Sequence, residues 1–305
     1  MTFSRVLWKG MRPRLVRHAA IAAATAASLG VFLCVRPAPG ASILADCMLF
    51  LLLSTLLYQA YVIAVMVGML FSARAELRRK TAHVLGGGVL VVAAGLTAGN
   101  GVVVALCVLL LGWLVATRVL PSLKMYRQLS VDRRDGSVSW GDLWFPVGLG
   151  AAAMLFGVQS AEWLAAALVL TLADSAAAVT GTRFPGAVYR VAGGNKSLGG
   201  SCAFLIVTWS SIALAGWVSG GEWPWLACAG LAAVLTGLEA ISSRGLDNVS
   251  LPLATAAGLY WIDSVPAVAW LTAGLAGLLL LAALAVRQRS VRLAILADQS
   301  GLQTK

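Results

Sequence analysis

The stretch Glu162-Trp-Leu-Ala-Ala-Ala-Leu-Val-Leu-Thr-Leu-Ala-Asp174-Ser-Ala-Ala-Ala-Val-Thr-Gly181 decides how the chain is read. A helix needs about 20 mostly apolar residues to span the hydrocarbon core of a bilayer, and this run supplies them. Yet it keeps an aspartate about two helical turns before its end. A carboxylate in that setting needs a cation, a metal or a hydrogen-bond donor. Ionisable groups in membrane spans are functional candidates by default. The alternative role for Asp174 is a polar contact between packed helices. The small residues around it let another helix, or a substrate, approach closely.

Outward from this run the pattern repeats. Ten candidate spans lie near 18–35, 42–72, 82–98, 101–120, 141–158, 162–181, 200–219, 223–243, 249–262 and 267–286. Of the 305 residues, 60% are hydrophobic and 11% are charged, where soluble domains carry roughly 25% charged residues. Such a chain has too little polar surface to cover a water-soluble globule. A soluble two-domain enzyme is therefore excluded, and disorder is excluded because it requires low hydrophobicity. The fold class is all-α: a polytopic integral-membrane helical bundle of about ten transmembrane helices. The second span is long enough to tilt or to project. The ninth is short and begins beside Pro252, which predicts a broken or re-entrant segment. The basic segment Met1 to Arg17 leads into a long apolar run without a small-residue cleavage site, and reads as part of a retained first span.

Charge gives the topology. The net charge is +11, from 23 Lys and Arg against 12 Asp and Glu. With a cytoplasmic N-terminus and ten alternating spans, every Lys and Arg except Arg36 falls on the cytoplasmic side. That asymmetry follows the positive-inside rule and predicts that both termini are cytoplasmic. It accounts for the basic surplus with no nucleic acid partner. The expected setting is the plasma (inner) membrane of a prokaryote, with the active site facing the cytoplasm. Cys34, Cys47, Cys107, Cys202 and Cys228 lie in apolar runs with no CxxC pair, and read as small buried apolar residues.

The polar residues that a membrane chain could have avoided gather on the same side. Glu76-Leu-Arg-Arg-Lys-Thr-Ala-His83 precedes Gly86-Gly-Gly88, and Lys80 and His83 share a helix face. Arg78 and Arg79 read as interface anchors. Ser137 lies in Arg133-Arg-Asp-Gly-Ser-Val-Ser139, a turn-like segment. Asp174 is the third candidate. The fourth is Gly193-Gly-Asn-Lys-Ser-Leu-Gly-Gly-Ser201, where exposed amides at a helix start favour phosphate and Lys196 adds a point charge. It is not a P-loop, because Asn195 stands directly before the lysine where that motif needs Gly. Glu239 and the turn Asp247-Asn248 form the fifth cluster. Two carboxylates and an amide oxygen there suit Mg²⁺, which takes few protein carboxylates and completes its shell with phosphates. Turn and cap chemistry is the other use of Asp247 and Asn248.

The order of these pieces resembles the polyprenol kinase family, which includes phytol, farnesol and dolichol kinases, within the wider CTP-using membrane enzymes related to phosphatidate cytidylyltransferases. The matching segments are Arg79-Lys-Thr-Ala-His83, Asp174-Ser-Ala-Ala-Ala-Val-Thr-Gly181, Asn195-Lys-Ser-Leu-Gly-Gly-Ser201, Glu239, and Asp247-Asn-Val-Ser-Leu-Pro-Leu253. They span about residues 76–262. This divides the chain into an N-terminal basic segment with two spans (1–75), a catalytic membrane domain (76–262), and a last span with its tail (263–305).

The resemblance implies transfer of the terminal phosphate of CTP, or of another nucleotide such as ATP, to an isoprenoid or other lipid alcohol, with Mg²⁺. It implies catalytic roles for Asp174, Lys196 and His83, with either Asp174 or His83 as the proton acceptor. Nucleotide phosphates fall to Lys80, Gly181, Asn195, Lys196, Ser197, Gly200 and Ser201, and the metal to Asp174, Glu239, Asp247 and Asn248. Two positions depart from the phytol-kinase type: Ala173 replaces a glycine, and Ala178 replaces a second aspartate. The terminal Asp-Arg-x-Asp signature of cytidylyltransferases is missing. The alternatives are a cytidylyltransferase making a CDP-lipid, and a transporter or structural membrane protein. A transporter places polar groups near the midplane at broken helices, whereas these lie at one interface.

Overall fold

The first helix, α1 (Ile43–Leu70), shows how this chain builds a bundle. Leu49, Leu53, Leu57, Tyr61, Ala64 and Val65 recur every three or four residues, with one adjacent pair, and are all buried. Met48, Leu51 and Ile63 lie off that stripe and are exposed. In lipid the exposed apolar face carries no hydrophobic penalty, so close packing and polar contacts choose which faces meet. Trp113 seals the stripe, its ring edge-on to Tyr58 and Tyr61 at 5.8 and 6.1 Å.

The computed structural model describes residues 43–70, 75–119, 140–191, 194–242 and 245–302. The predicted first span with its basic leader, Cys34, and the Ser137 segment lie outside them. After α1 come α2 (Ala75–Leu96), α3 (Gly101–Val119), α4 (Gly141–Phe156) and α5, which runs Ala161–Arg183 with a π-turn inside it. A hairpin, β1 (Val188–Val191) and β2 (Gly194–Ser197), leads into α6 (Leu198–Ser219). Then follow α7 (Trp225–Ile241), α8 (Asp247–Tyr260) and α9 (Ala267–Leu302).

Each described helix coincides with a predicted span. Five of them, α1, α3, α5, α6 and α9, are long and apolar enough to cross a membrane. The others are not. α4, α7 and α8 have 16, 17 and 14 residues, or about 21–26 Å of helix against a core of about 30 Å. α2 begins with Glu76, Arg78, Arg79 and Lys80. The all-α reading also missed the hairpin, an antiparallel pair with Tyr189 opposite Lys196 and Arg190 opposite Asn195.

Pro252 does not break α8, contrary to expectation; the helix runs through it unbroken. Proline has no N–H, so the Asn248 carbonyl one turn earlier loses its helical donor. Gly148 of α4 packs directly against that carbonyl, which any side chain would overlap.

Two core clusters meet along α5. One joins α1 to α4 and includes Trp163, Ala167 and Leu170 of α5; the other joins α5 to α6, α7 and α8 through Ala165, Val169, Phe204, Ile212, Leu231 and Leu251. Tyr189 of the hairpin packs with Ala240 of α7 and with Leu281 and Ala285 of α9. At one end the turns are knotted by polar side chains. Asn100 Oδ1 accepts the Val158 amide at 2.9 Å, and Gln159 Nε2 donates to the Ala94 carbonyl at 2.7 Å. Exposed Trp217, Trp225, Tyr260 and Trp261 end or begin helices on that side, where aromatic side chains suit a membrane–water interface. The opposite end gathers the polar residues singled out in the sequence.

The cysteine reading needs one correction. Cys107 and Cys228 are buried, but Cys47 and Cys202 are exposed; all four are free thiols. An apolar run in a membrane helix has an outward face as well as an inward one, and these two lie on it.

Candidate active site

Asp174 is set in place by a local irregularity. Val169–Ala173 forms a π-turn, in which the Asp174 amide reaches back five residues to the Val169 carbonyl. Such turns are rare and concentrate at functional sites. Thr171 lies within it, and Gly87 of α2 abuts Thr171. A Cβ at Gly87 would overlap the Thr171 hydroxyl and lie 2.7 Å from its Cγ2. Glycine therefore lets α2 approach α5 closely. Lys80, His83 and Gly87 stand at i, i+3 and i+7 on one face of α2, so this approach carries the lysine and the histidine to the aspartate.

Lys80 donates a hydrogen bond to Asp174 Oδ2, and both side chains are buried. His83 Nδ1 lies 4.0 Å from the same oxygen. Its ring packs on Phe145, with centroids 4.5 Å apart. Neither imidazole nitrogen has a hydrogen-bond partner although His83 is 4% exposed. His83 also lines a cavity of about 40 Å³ between α1, α2, α3 and α4.

A second lysine–carboxylate pair lies nearby. Lys196, on β2, donates to Glu239 Oε1 near the end of α7. Burial alone would lower the lysine pKa. The Glu239 carboxylate, aided by Asp247 and Asp174, overcomes this and raises it above the ordinary 10.5. Asp174, Glu239 and Asp247 thus act on one lysine, which ties the two pairs into a single charged cluster. Across the hairpin, the Tyr189 hydroxyl and Ser201 Oγ lie 2.6 Å apart. Burial, the largest influence, pushes the Tyr189 phenol up, with the Ser201 hydrogen bond opposing it.

Asn248 joins α8 to α4 by donating from Nδ2 to the Gly141 carbonyl at 2.7 Å, while its buried Oδ1 has no partner. Gly245 makes this junction possible. Its φ is +84°, and a Cβ there would overlap Gly141. A Cβ on Gly141 would in turn lie 3.0 Å from the Arg79 guanidinium. Beside this junction Arg118 donates to Asp142 Oδ1 at 2.6 Å. Phe145, Asp142 and Arg118 escaped the sequence reading. The apolar residue has no polar signal, and the ion pair joins two helices 24 residues apart.

The glycine-rich segment differs from expectation. The Leu198 and Gly199 amides donate to the Ala187 and Pro185 carbonyls at 2.8 and 3.1 Å, and the Gly200 amide donates to Ser197 Oγ at 3.2 Å. The exposed amides expected at this helix start thus already have acceptors. Ser197 caps α6, Ser201 holds Tyr189, and Gly181 lets α5 reach the start of α6. A Cβ at Gly181 would lie 2.8 Å from Ser197 Oγ. Asn195 is exposed on β2. What this element offers an anion is the side chain of Lys196.

The expected Mg²⁺ set does not form a cage. Among the described residues no three His, Cys, Asp or Glu side chains converge to hold a metal. Asp174 and Glu239 each hold a lysine instead, Asp247 begins α8, and only Asn248 Oδ1 is an unused buried oxygen. The residues as arranged do not fit a resident Mg²⁺.

No protein-family model matches this chain, and no curated protein or solved structure is significantly similar to it.

Proposed function

We propose that this protein is a membrane-embedded kinase that moves the terminal phosphate of a nucleotide, CTP or ATP, onto an isoprenoid or other lipid alcohol. One observation carries the reading. An unpartnered, buried histidine stands between a mostly apolar cavity, whose lining also includes Arg79 and Asp142, and a cluster of two lysines and three carboxylates. The order of these residues along the chain, which resembles that of the polyprenol kinases, suits the same reading.

In this reaction the alcohol oxygen attacks the terminal phosphorus. The bond from that phosphorus to the bridging oxygen breaks, and nucleoside diphosphate leaves. His83 takes the hydroxyl proton, because it lines the cavity and neither of its ring nitrogens is engaged. Phosphoryl transfer needs little covalent help beyond in-line positioning and stabilisation of the equatorial oxygens. Lys80 and Lys196 supply that charge, exchanging a carboxylate partner for a phosphate. Mg²⁺ enters with the nucleotide as part of the substrate. The cytoplasmic orientation of this end rests on the distribution of Lys and Arg along the sequence.

The test is substitution with two readouts. Asp174→Asn and Lys196→Ala should each lower turnover at least a hundredfold while the protein still inserts into membranes. Normal turnover in both variants would remove the cluster from the mechanism. Release of pyrophosphate with a lipid phosphate, in place of nucleoside diphosphate with an alcohol, would favour a cytidylyltransferase.

A further inference from the structure

Both α5 and α6 are long and apolar enough to cross a membrane, and residues 184–197 join them. The connection, with its hairpin, therefore lies at a bilayer surface. Its depth is set by Tyr189, which packs against Leu281 and Ala285 of α9. Both fall in the last turns of the membrane-length part of α9, Ala267–Arg287. The hairpin thus sits level with the end of a span and does not stand clear of the bilayer.

Side chains alternate along a strand. With Tyr189 turned inward, Val188 and Arg190 turn outward, and both are exposed. Phe184, just before the hairpin, is 66% exposed, and the Arg183 guanidinium lies 5.8 Å from its ring centroid. Arg287, on α9 just beyond Ala285, adds an exposed cation at the same level. Among the described residues neither Arg183 nor Arg287 has an ion-pair partner. An apolar side chain exposed on a spanning helix is covered by lipid tails and needs no other partner. Phe184 and Val188 instead lie on a connection, where contact with water is unfavourable. Apolar side chains interleaved with arginines at this depth match the boundary between acyl chains and lipid phosphates.

We propose that the outer face of this connection, formed by Arg183, Phe184, Val188 and Arg190, is a docking surface for anionic lipid headgroups of the surrounding membrane. The guanidinium groups bind the lipid phosphate, whose geometry suits their paired donors. Phe184 and Val188 sit among the first acyl carbons. Net negative lipids are preferred, because a zwitterionic headgroup brings its own cation to the same phosphate. The surface is separate from both lysine–carboxylate pairs, and it stands whether or not the protein transfers phosphate.

The test is photolabelling of the full chain in phosphatidylcholine nanodiscs. The probe is phosphatidylglycerol bearing a diazirine on its headgroup. Label should map to peptides containing Arg183–Arg190. Unlabelled phosphatidylglycerol should compete at least tenfold better than added phosphatidylcholine, and inorganic phosphate should not compete. Arg183→Gln/Phe184→Ser should cut the label at least fivefold with an unchanged thermal transition, because both side chains are exposed. Arg183→Lys, which keeps the charge, should retain most of it.

Label confined to other peptides would show that this face is turned to water or to another protein, and would overturn the proposal. So would label that the Arg183→Gln/Phe184→Ser variant leaves intact, or equal competition by phosphatidylcholine. Competition by inorganic phosphate would assign the arginines to a soluble anion in place of a lipid.

Discussion

At the residue scale, the site turns on how buried charges are neutralised. Lys80 and Asp174 are both buried and each is the other's partner. Removing one side of such a pair typically costs ~3–5 kcal/mol, whereas replacing both by apolar residues of similar size is close to neutral. Asp174→Asn should therefore lower both activity and thermal stability. Lys80→Met/Asp174→Leu should recover the stability and none of the activity. Measuring Tm and turnover on the same samples separates the two; recovered activity in the double variant would assign the pair to structure alone. Lys196 gives a pH prediction. Its folded pKa is raised above 10.5, so its stabilisation is fully present below the unfolded value and is lost as pH rises through the folded one. Nucleotide binding through Lys196 should thus be flat from about pH 7 to 9. Lys196→Arg should retain it and Lys196→Met should not, as read by titration with a fluorescent nucleotide. A midpoint within that range would contradict the account.

At the element scale, the close approach of α2 to α5 delivers Lys80 and His83 to Asp174. Gly87 against Thr171 is the contact that permits it. Gly87→Ala should cost ~1–3 kcal/mol as overpacking and should reduce turnover with it. Thr171→Ala in the same chain should restore part of both, because it removes the two nearest atoms of the clash. An unaffected Gly87→Ala variant would show that the helices are not locked there. Much of this level was legible in the sequence. Apolar runs marked all nine described helices, and Asp174, Lys80, His83, Lys196, Glu239 and Asn248 stood out as polar residues in expensive places. Other features were not legible. The π-turn has no composition of its own, and its five-residue hydrogen bond is a choice of backbone. The hairpin has little sequence signal, because four-residue strands with Gly194 and Asn195 carry low strand propensity. The lysine–carboxylate partners lie 94 and 43 residues apart, and no spacing rule links them.

At the scale of the whole molecule, the protein separates its two ends. One end is tied by Asn100, Gln159 and the cap at Ser160. The other collects both charged pairs, the Gly141–Gly245 junction and the His83 cavity. Five membrane-length helices and the shorter ones hold these buried pairs beside the His83 cavity. Such an arrangement suits a reaction joining a soluble phosphate donor to an acceptor dissolved in the bilayer. The measurement that bears most directly on it is a phosphoryl-transfer assay with purified protein, Mg²⁺, γ-labelled CTP or ATP, and farnesol, geranylgeraniol, phytol and longer polyprenols. The account predicts label in an organic-soluble monophosphate, with loss of that label in Asp174→Asn. No label with any alcohol and either nucleotide, from protein that is folded and inserted, would contradict it.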